Sequence, residues 1–266
     1  MFCEFLGIKT KEELRDVNAA HVTAFRNFML EEKKTPATIN TRLSALSSLF
    51  NELVSKQIIS YNPVTGVKRP KEEYDKVKSI ALSKEHAKHM MDRPDTNTLK
   101  GVRDKAILSI LFYTGCRIGE VCKLKVKDNF QEKGHFVLDF SIKGGRRNRV
   151  PITPMLQEAI DNYLNLMSHT EDRDSAMFLP LKKGKADTLI RHLDQTAVLN
   201  IWNAYEVVEQ STPHSARTTF ISTAYEHGVL STDIQRTVGH RDSRTTDKYD
   251  HSAKSYSASA TYKVWY

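Results

Sequence analysis

Cysteine is scarce: the 266-residue chain has three, Cys3, Cys116 and Cys122. An odd number without metal-type spacing argues against a disulfide framework or a zinc module, and points to a reduced, intracellular protein. No apolar run approaches the ~20 residues that span a bilayer, so no membrane partner is expected. Met1-Phe2-Cys3-Glu4 lacks the basic start and apolar stretch of a secretory leader, which makes secretion unexpected. Neither G-x-x-x-x-G-K-[ST] nor G-x-G-x-x-G occurs, so neither a nucleotide site nor a cofactor is expected. No carboxylates pair at metal-ligand spacing, which disfavours a Mg²⁺-dependent nuclease or transposase and leaves no metal ligand to name. Internal repeats and low-complexity tracts are also missing.

What is present is positive charge. Lys and Arg number 40 against 32 Asp and Glu, a formal net charge of +8. That excess suits a polyanionic partner such as nucleic acid, although charge alone describes association and not fold. The densest chemistry lies in residues 213–251, PHSARTTFISTAYEHGVLSTDIQRTVGHRDSRTTDKYDH. His214 and Arg217 are three apart, on one face of a helix that Pro213 can open. Gly228 reads as its C-cap. A second helix is expected over residues 231–238, with Ser231 as N-cap and Asp233 in the first turn. Gly239-His240 follows, then Tyr249 nine residues on and His251. A cation, two imidazoles and a phenol share one compact segment with Arg236, Arg241 and Arg244.

This order resembles the tyrosine recombinases of the phage-integrase family, whose signature runs H-x-x-R, G-H, then Tyr-x-His. The gaps of twenty-three residues from Arg217 to His240 and nine from His240 to Tyr249 fit it. A first box, T-G-C-R-I-G-E-V-x-x-L at residues 114–124, resembles the same family and matches Arg117 to its arginine and Glu120 to a supporting acid. One departure is visible: the family's H-x-L-R-H-T is here H-S-A-R-T-T, with Ala216 and Thr218 in place of leucine and histidine. Altered packing near Arg217 is the expected result.

The resemblance covers nearly the whole chain and implies its fold class: mainly α with a small β-sheet. An all-helical core-binding domain (residues 1–69) would be joined by a linker (70–79) to an α+β catalytic domain (80–266), with a tail from about residue 252. The periodicities agree with helices. Thr10 to Glu13 has the form of a capping box, Asn18 and Thr35-Pro36 open helices to Glu32 and about Lys56, and Met1 to Leu6 leave room for barely two turns. Tyr61-Asn62-Pro63 ends the helical module. In the second domain Ser83 caps a helix, Thr98 to Tyr113 is strongly amphipathic, Thr153 to Met167 and residues 187–209 are helical, and Met177 to Pro180 is a short strand. Strands over His135 to Ile142 and Arg149 to Ile152 flank a Gly144-Gly145 turn.

What the resemblance implies for chemistry is attack of a phenol on a DNA phosphodiester. Arg117 and Arg217 would each give planar, paired hydrogen bonds to the phosphate oxygens, which lysine cannot. His214 would assist as base, because a free tyrosine titrates near ~10. Lys143, at the mouth of the hairpin turn, would protonate the leaving 5′ oxygen. His240 would donate to a phosphate oxygen, and Tyr249 would be the nucleophile, giving a 3′-phosphotyrosine without ATP. Tyr256, Tyr262 and Tyr266 are rival tyrosines; His169, His192 and His227 read as ordinary packing or surface histidines. Arg42, Arg146, Arg147, Arg241 and Arg244 are expected to contact DNA backbone. The implied partners are double-stranded DNA recombination sites and a homotetramer assembled on them; the tail, with its Tyr262, Trp265 and Tyr266, would either fold back on its own domain or dock on a neighbouring copy. Two other readings stay open: a type IB topoisomerase-like relaxing enzyme, and a DNA-binding accessory protein that has lost catalysis.

Overall fold

The computed structural model describes residues 1–71, 79–142, 144–182, 185–186, 191–240 and Thr246. The chain divides into two compact units, Met1–Tyr74 and Asp75–Tyr266.

The first unit is helical. Helix α1 is Phe2–Leu6, α2 Ala19–Glu31 and α3 Pro36–Ser55. Asn18 caps α2 by accepting from the Ala20 and His21 amides, and Thr35 caps α3 with Pro36 in the first turn. Each cap satisfies amides that the first helical turn leaves without partners. The expected helix at Thr10 is only a 3-10 turn, Glu12–Asp16, in which Glu13 turns back to accept from the Lys9 amide at 2.8 Å. Val22, Phe25, Met29, Ile39, Leu43 and Phe50 close the core. Asn62 ends the module by donating to the Ser47 carbonyl (3.1 Å) and the Asn51 side chain (2.7 Å) while accepting from the Val64 amide.

The second unit is built on α5, Leu99–Thr114, which is buried on nearly every side. Around it lie α4 (Lys84–Asp92), α6 (Ile118–Val121), α7 (Pro154–Leu164), α8 (Gln195–Tyr205), α9 (Pro213–Glu226) and α10 (Ser231–Val238). An antiparallel sheet in the order β1-β2-β3 comprises Asn129–Glu132, His135–Ser141 and Arg147–Ile152; β4 (Leu181–Lys182) and β5 (Lys185–Ala186) form a separate small hairpin. Leu138, Phe140 and Val150 turn the sheet's inner face onto the core that holds Ile107, Leu111, Leu156 and Trp202.

Several boundaries differ from the sequence reading. Strand β1 was not foreseen, and β3 begins two residues earlier than expected. Met177–Pro180 is coil, buried up to Leu179, entered through a single bridge, Lys125 to Ala176. Within 187–209 the described helix is α8 alone, begun by an Asp194 cap on the Ala197 amide at 2.7 Å. Helix α10 has Leu230 at its N-cap; Ser231 lies inside, where its hydroxyl accepts from Tyr225.

Asp104 anchors the middle of this unit. Its carboxylate, with no solvent exposure, accepts from Arg103 Nη2 (2.7 Å), Lys100 Nζ (2.7 Å) and the Tyr205 hydroxyl (3.1 Å). Arg103 also donates to the Leu179 carbonyl at 3.2 Å. One buried charge cluster therefore ties α5, α8 and the 177–180 coil together.

Candidate active site

The site starts where α5 stops. Gly115 takes the left-handed conformation (φ 60°), and a Cβ there would lie 2.7 Å from the Phe220 ring. Only glycine satisfies both the turn and the close approach of α9. The turn delivers Arg117 to the start of α6. Glu120 grips it twice, accepting from its backbone amide at 2.8 Å and from Nη1 at 2.9 Å. The carboxylate is 9% exposed and the guanidinium side chain 47%. A buried acid thus aims a half-exposed cation.

Arg217, on α9, is 1% exposed. Its Nη1 donates to the Gly115 carbonyl and its Nη2 to the Val238 carbonyl, both at 2.7 Å. It joins the turn that presents Arg117 to the last turn of α10, just before His240. Two more side chains hold that helix end. Asn148 Nδ2 on β3 donates to the Thr237 carbonyl (2.9 Å), and Gln235 Nε2 to the His240 carbonyl (3.3 Å). Gly239 then reverses the chain at φ 64°. Nδ1 of His240 is 2.8 Å from the Thr246 hydroxyl oxygen. The departure at Thr218 has a local partner: its hydroxyl lies 2.5 Å from that of Ser79 and donates to the His214 carbonyl at 3.2 Å.

A cleft of about 1100 Å³ opens between these elements, lined by Arg117, Glu120, Lys123, Arg146, Gln195 and His214 among others. Partial burial, then the charges of Arg217 and Arg117, hold the His214 imidazole below its ordinary pKa. The same causes act more strongly on His240, with His214 adding to them, and bring it down to about 3. Both rings are therefore neutral near pH 7. In an unfolded chain they titrate near ~6.5. Below that pH the unfolded state takes up protons that the folded state refuses. Stability is therefore expected to be level above about pH 7 and to fall as the pH drops from about 6.5 toward about 3. Thermal unfolding across that window should show the slope, and His240→Gln should remove much of it; a wild-type slope in the variant would contradict this assignment.

The structure brings Arg117, Glu120, Arg146 and His214 to the cleft, and Arg217 and His240 within their electrostatic reach. Arg147 differs from its sequence expectation. It donates to Asp128, to Asp139 (Nε to Oδ2, 3.1 Å) and to the Ser141 hydroxyl, so carboxylates already hold it at the edge of the sheet. Arg42 lies on α3 in the other unit, half-exposed, with Nη1 2.9 Å from Met1 Sδ. Lys143, Arg241, Arg244, Tyr249, His251 and the tail fall outside the described residues. Lys123 and Gln195 were missed by sequence reasoning. Lys123 sits at an unassigned position of the first box, and Gln195 is betrayed only by the helix start it follows. Asn148 and Thr246 gave no signal that distinguishes them from neighbouring polar residues.

Cys116 and Cys122 are buried, which pushes their thiols up to about 12 and about 11. Neither is suited to act as a nucleophile. Among the described residues, no group of three His, Cys, Asp or Glu side chains could hold a metal ion, and no helix is long and apolar enough to cross a membrane.

A model of the phage integrase family matches residues 81–255. The chain is 30% identical over 236 residues to the tyrosine recombinase XerC of Myxococcus xanthus, covering 85% of this chain and 76% of that one. It is 26% identical over 237 residues to the tyrosine recombinase XerD of Listeria innocua serovar 6a, covering 88% and 77%. Among solved structures, the XerH site-specific recombinase bound to a palindromic difH substrate, in a post-cleavage complex, aligns with a TM-score of 0.70 at 20% identity, over 95% of this chain and 74% of that one. A lambda integrase dimer bound to a COC′ core site aligns with a TM-score of 0.61 at 18% identity, over 91% and 67%.

Proposed function

Since this chain belongs to the phage integrase family, we propose that it is a site-specific DNA recombinase working through a 3′-phosphotyrosine, without ATP or metal. The observation that carries the reading is the cleft wall. A guanidinium aimed by a buried carboxylate stands beside a neutral imidazole, and both are tied through Arg217 to the helix end that bears His240. Such a wall suits an anion that gains charge during reaction, because preorganised donors then need no rearrangement.

In the proposed step the Tyr249 oxygen bonds to phosphorus and the bond to the 5′ oxygen breaks. His214 takes the phenol proton, and Lys143 gives a proton to the departing 5′ oxygen. Arg117 and His240 stabilise the phosphate oxygens, and Arg217, whose Nη1 and Nη2 also tether the Gly115 and Val238 carbonyls, adds its charge and its remaining N–H donors. The phosphoryl ester is conserved, so a 5′-hydroxyl of another strand reverses the step and completes exchange. Arg146 at the cleft contacts the DNA backbone, Arg241 and Arg244 serve the same role, and the helical unit contributes Arg42. Arg147 has no place in this set. The protein acts inside the cell on double-stranded recombination sites, as a tetramer.

A groove of about 1080 Å³ lined by Met91, Phe112, Tyr113, Met155, Phe220 and Val229 supports the assembly. We assign it to residues 252–266 of a second copy, whose Tyr262, Trp265 and Tyr266 suit an apolar bed.

The test traps the intermediate. A duplex is selected for binding from a random pool, nicked near the bound site and incubated with the protein. The adduct is then digested for mass analysis. A DNA-linked peptide modified at Tyr249 is the expected result. Tight binding with no adduct would favour the silent DNA-binding reading, and modification at Tyr256 would move the nucleophile.

A further inference from the structure

Thr246 is a polar side chain with no exposed surface, three residues before Tyr249 in the sequence. Among the described residues, His240 Nδ1 is the one hydrogen-bond partner of its hydroxyl, at 2.8 Å. A bond of that length can run in either direction, and the direction decides which ring nitrogen keeps the proton. If Nδ1–H donated, the threonine proton would be buried with no acceptor among the described residues, an arrangement that folded proteins avoid. If the hydroxyl donates, the donor is satisfied and Nδ1 is the acceptor. The neutral ring must then carry its proton on Nε2.

We propose that Thr246 is a positioning residue that fixes His240 as the Nε2–H tautomer, converting a neutral imidazole into a hydrogen-bond donor for the reacting phosphate. The proposal rests on the recombinase reading for its purpose, but not for its geometry. It also gives a physical reason for the tight hold on the end of α10. Arg217, Asn148 and Gln235 fix the main chain around Gly239 and His240, and Thr246 fixes the ring.

Two measurements test it. The first is the tautomer in the intact wild-type protein, read from the ¹⁵N shifts and proton couplings of the His240 ring, assigned by comparison with His240→Gln. An Nε2–H ring with unprotonated Nδ1 is expected; an Nδ1–H ring overturns the proposal whatever the protein does to DNA. The second compares variants on the nicked duplex. Thr246→Ser keeps a hydroxyl and should cleave within about three-fold of wild type. Thr246→Val keeps the shape without the hydroxyl and should slow single-turnover adduct formation by about ten-fold or more, the scale on which lost ligand-orienting partners act elsewhere, with unchanged DNA affinity. Wild-type cleavage by Thr246→Val overturns the proposal. If Thr246→Val does not fold, the wild-type tautomer decides. Absence of any adduct from the wild-type protein counts against the recombinase reading, and the tautomer measurement is unaffected by it.

Discussion

Arg217→Ala is expected to slow covalent adduct formation by at least about 10²–10³-fold, the range for loss of one oxyanion-type donor. It should also destabilise the catalytic unit, and the combination follows from where the guanidinium sits. Its two terminal nitrogens reach the Gly115 and Val238 carbonyls from a position 1% exposed to solvent. Truncation leaves both carbonyls buried without those donors, at about 1–3 kcal/mol each. It also frees the turn that sets Arg117 from the helix end that sets His240. Arg217→Lys sharpens the test. Lysine keeps the charge but has one compact ammonium in place of a fork that reaches in two directions. If only charge mattered, lysine would restore most of the rate. The geometry predicts that it does not, and that chemical denaturation will show a stability intermediate between alanine and wild type. Near-wild-type cleavage by Arg217→Lys would show that the double tether is dispensable.

Asp104→Ala is expected to cost about 3–5 kcal/mol of stability, the range for removing one partner of a buried ion pair. For a unit of this size that lowers the melting temperature by on the order of 10 °C. Nothing about Asp104 in the sequence signals catalysis. Its weight comes from what it leaves behind. Arg103, 7% exposed at its side chain, loses the carboxylate that faces it, while Lys100 and Tyr205 lose a shared acceptor. Asp104→Asn should recover part of the loss, because an amide oxygen still accepts but carries no charge. Lys100→Ala should cost far less, since that lysine is 51% exposed and its loss leaves Asp104 with Arg103 and Tyr205 as donors. Equal effects of Asp104→Ala and Lys100→Ala would refute this ranking.

The helices and the first box were legible because their signals are local. Asn18, Thr35, Ser83 and Thr98 stand immediately before apolar-periodic runs, and each caps the helix it announces. Glu120 was matched as a supporting acid by the resemblance of the first box, and it does hold the Arg117 amide and Nη1. What the sequence hid is long-range. Arg147 looks like one more cation in G-G-R-R-N-R; its commitment to Asp128 and Asp139 depends on strand register, which sets Asp139 opposite Arg149 in the β2–β3 pairing. Asn148 reaches an α10 carbonyl 89 positions away. Arg217 was read as a phosphate ligand, and its two backbone tethers could not be seen without knowing that α9 crosses both the Gly115 turn and α10. Thr10 misled in the other direction: the capping pattern is present, but the acid turns to Lys9 and only a 3-10 turn forms.

Each of the two units closes its own hydrophobic core, one around Phe25, Leu43 and Phe50, the other around Ile107, Leu138 and Trp202. Substitutions far apart, with no partner in common, add nearly independently. Descendants of this sequence can therefore drift in one unit without eroding the tolerance of the other to mutation. The surface of the helical unit can change while the wall of Arg117, Glu120 and His214 stays under its own selection. The inheritance is modular, and divergence should run at different speeds on the two sides of residue 75.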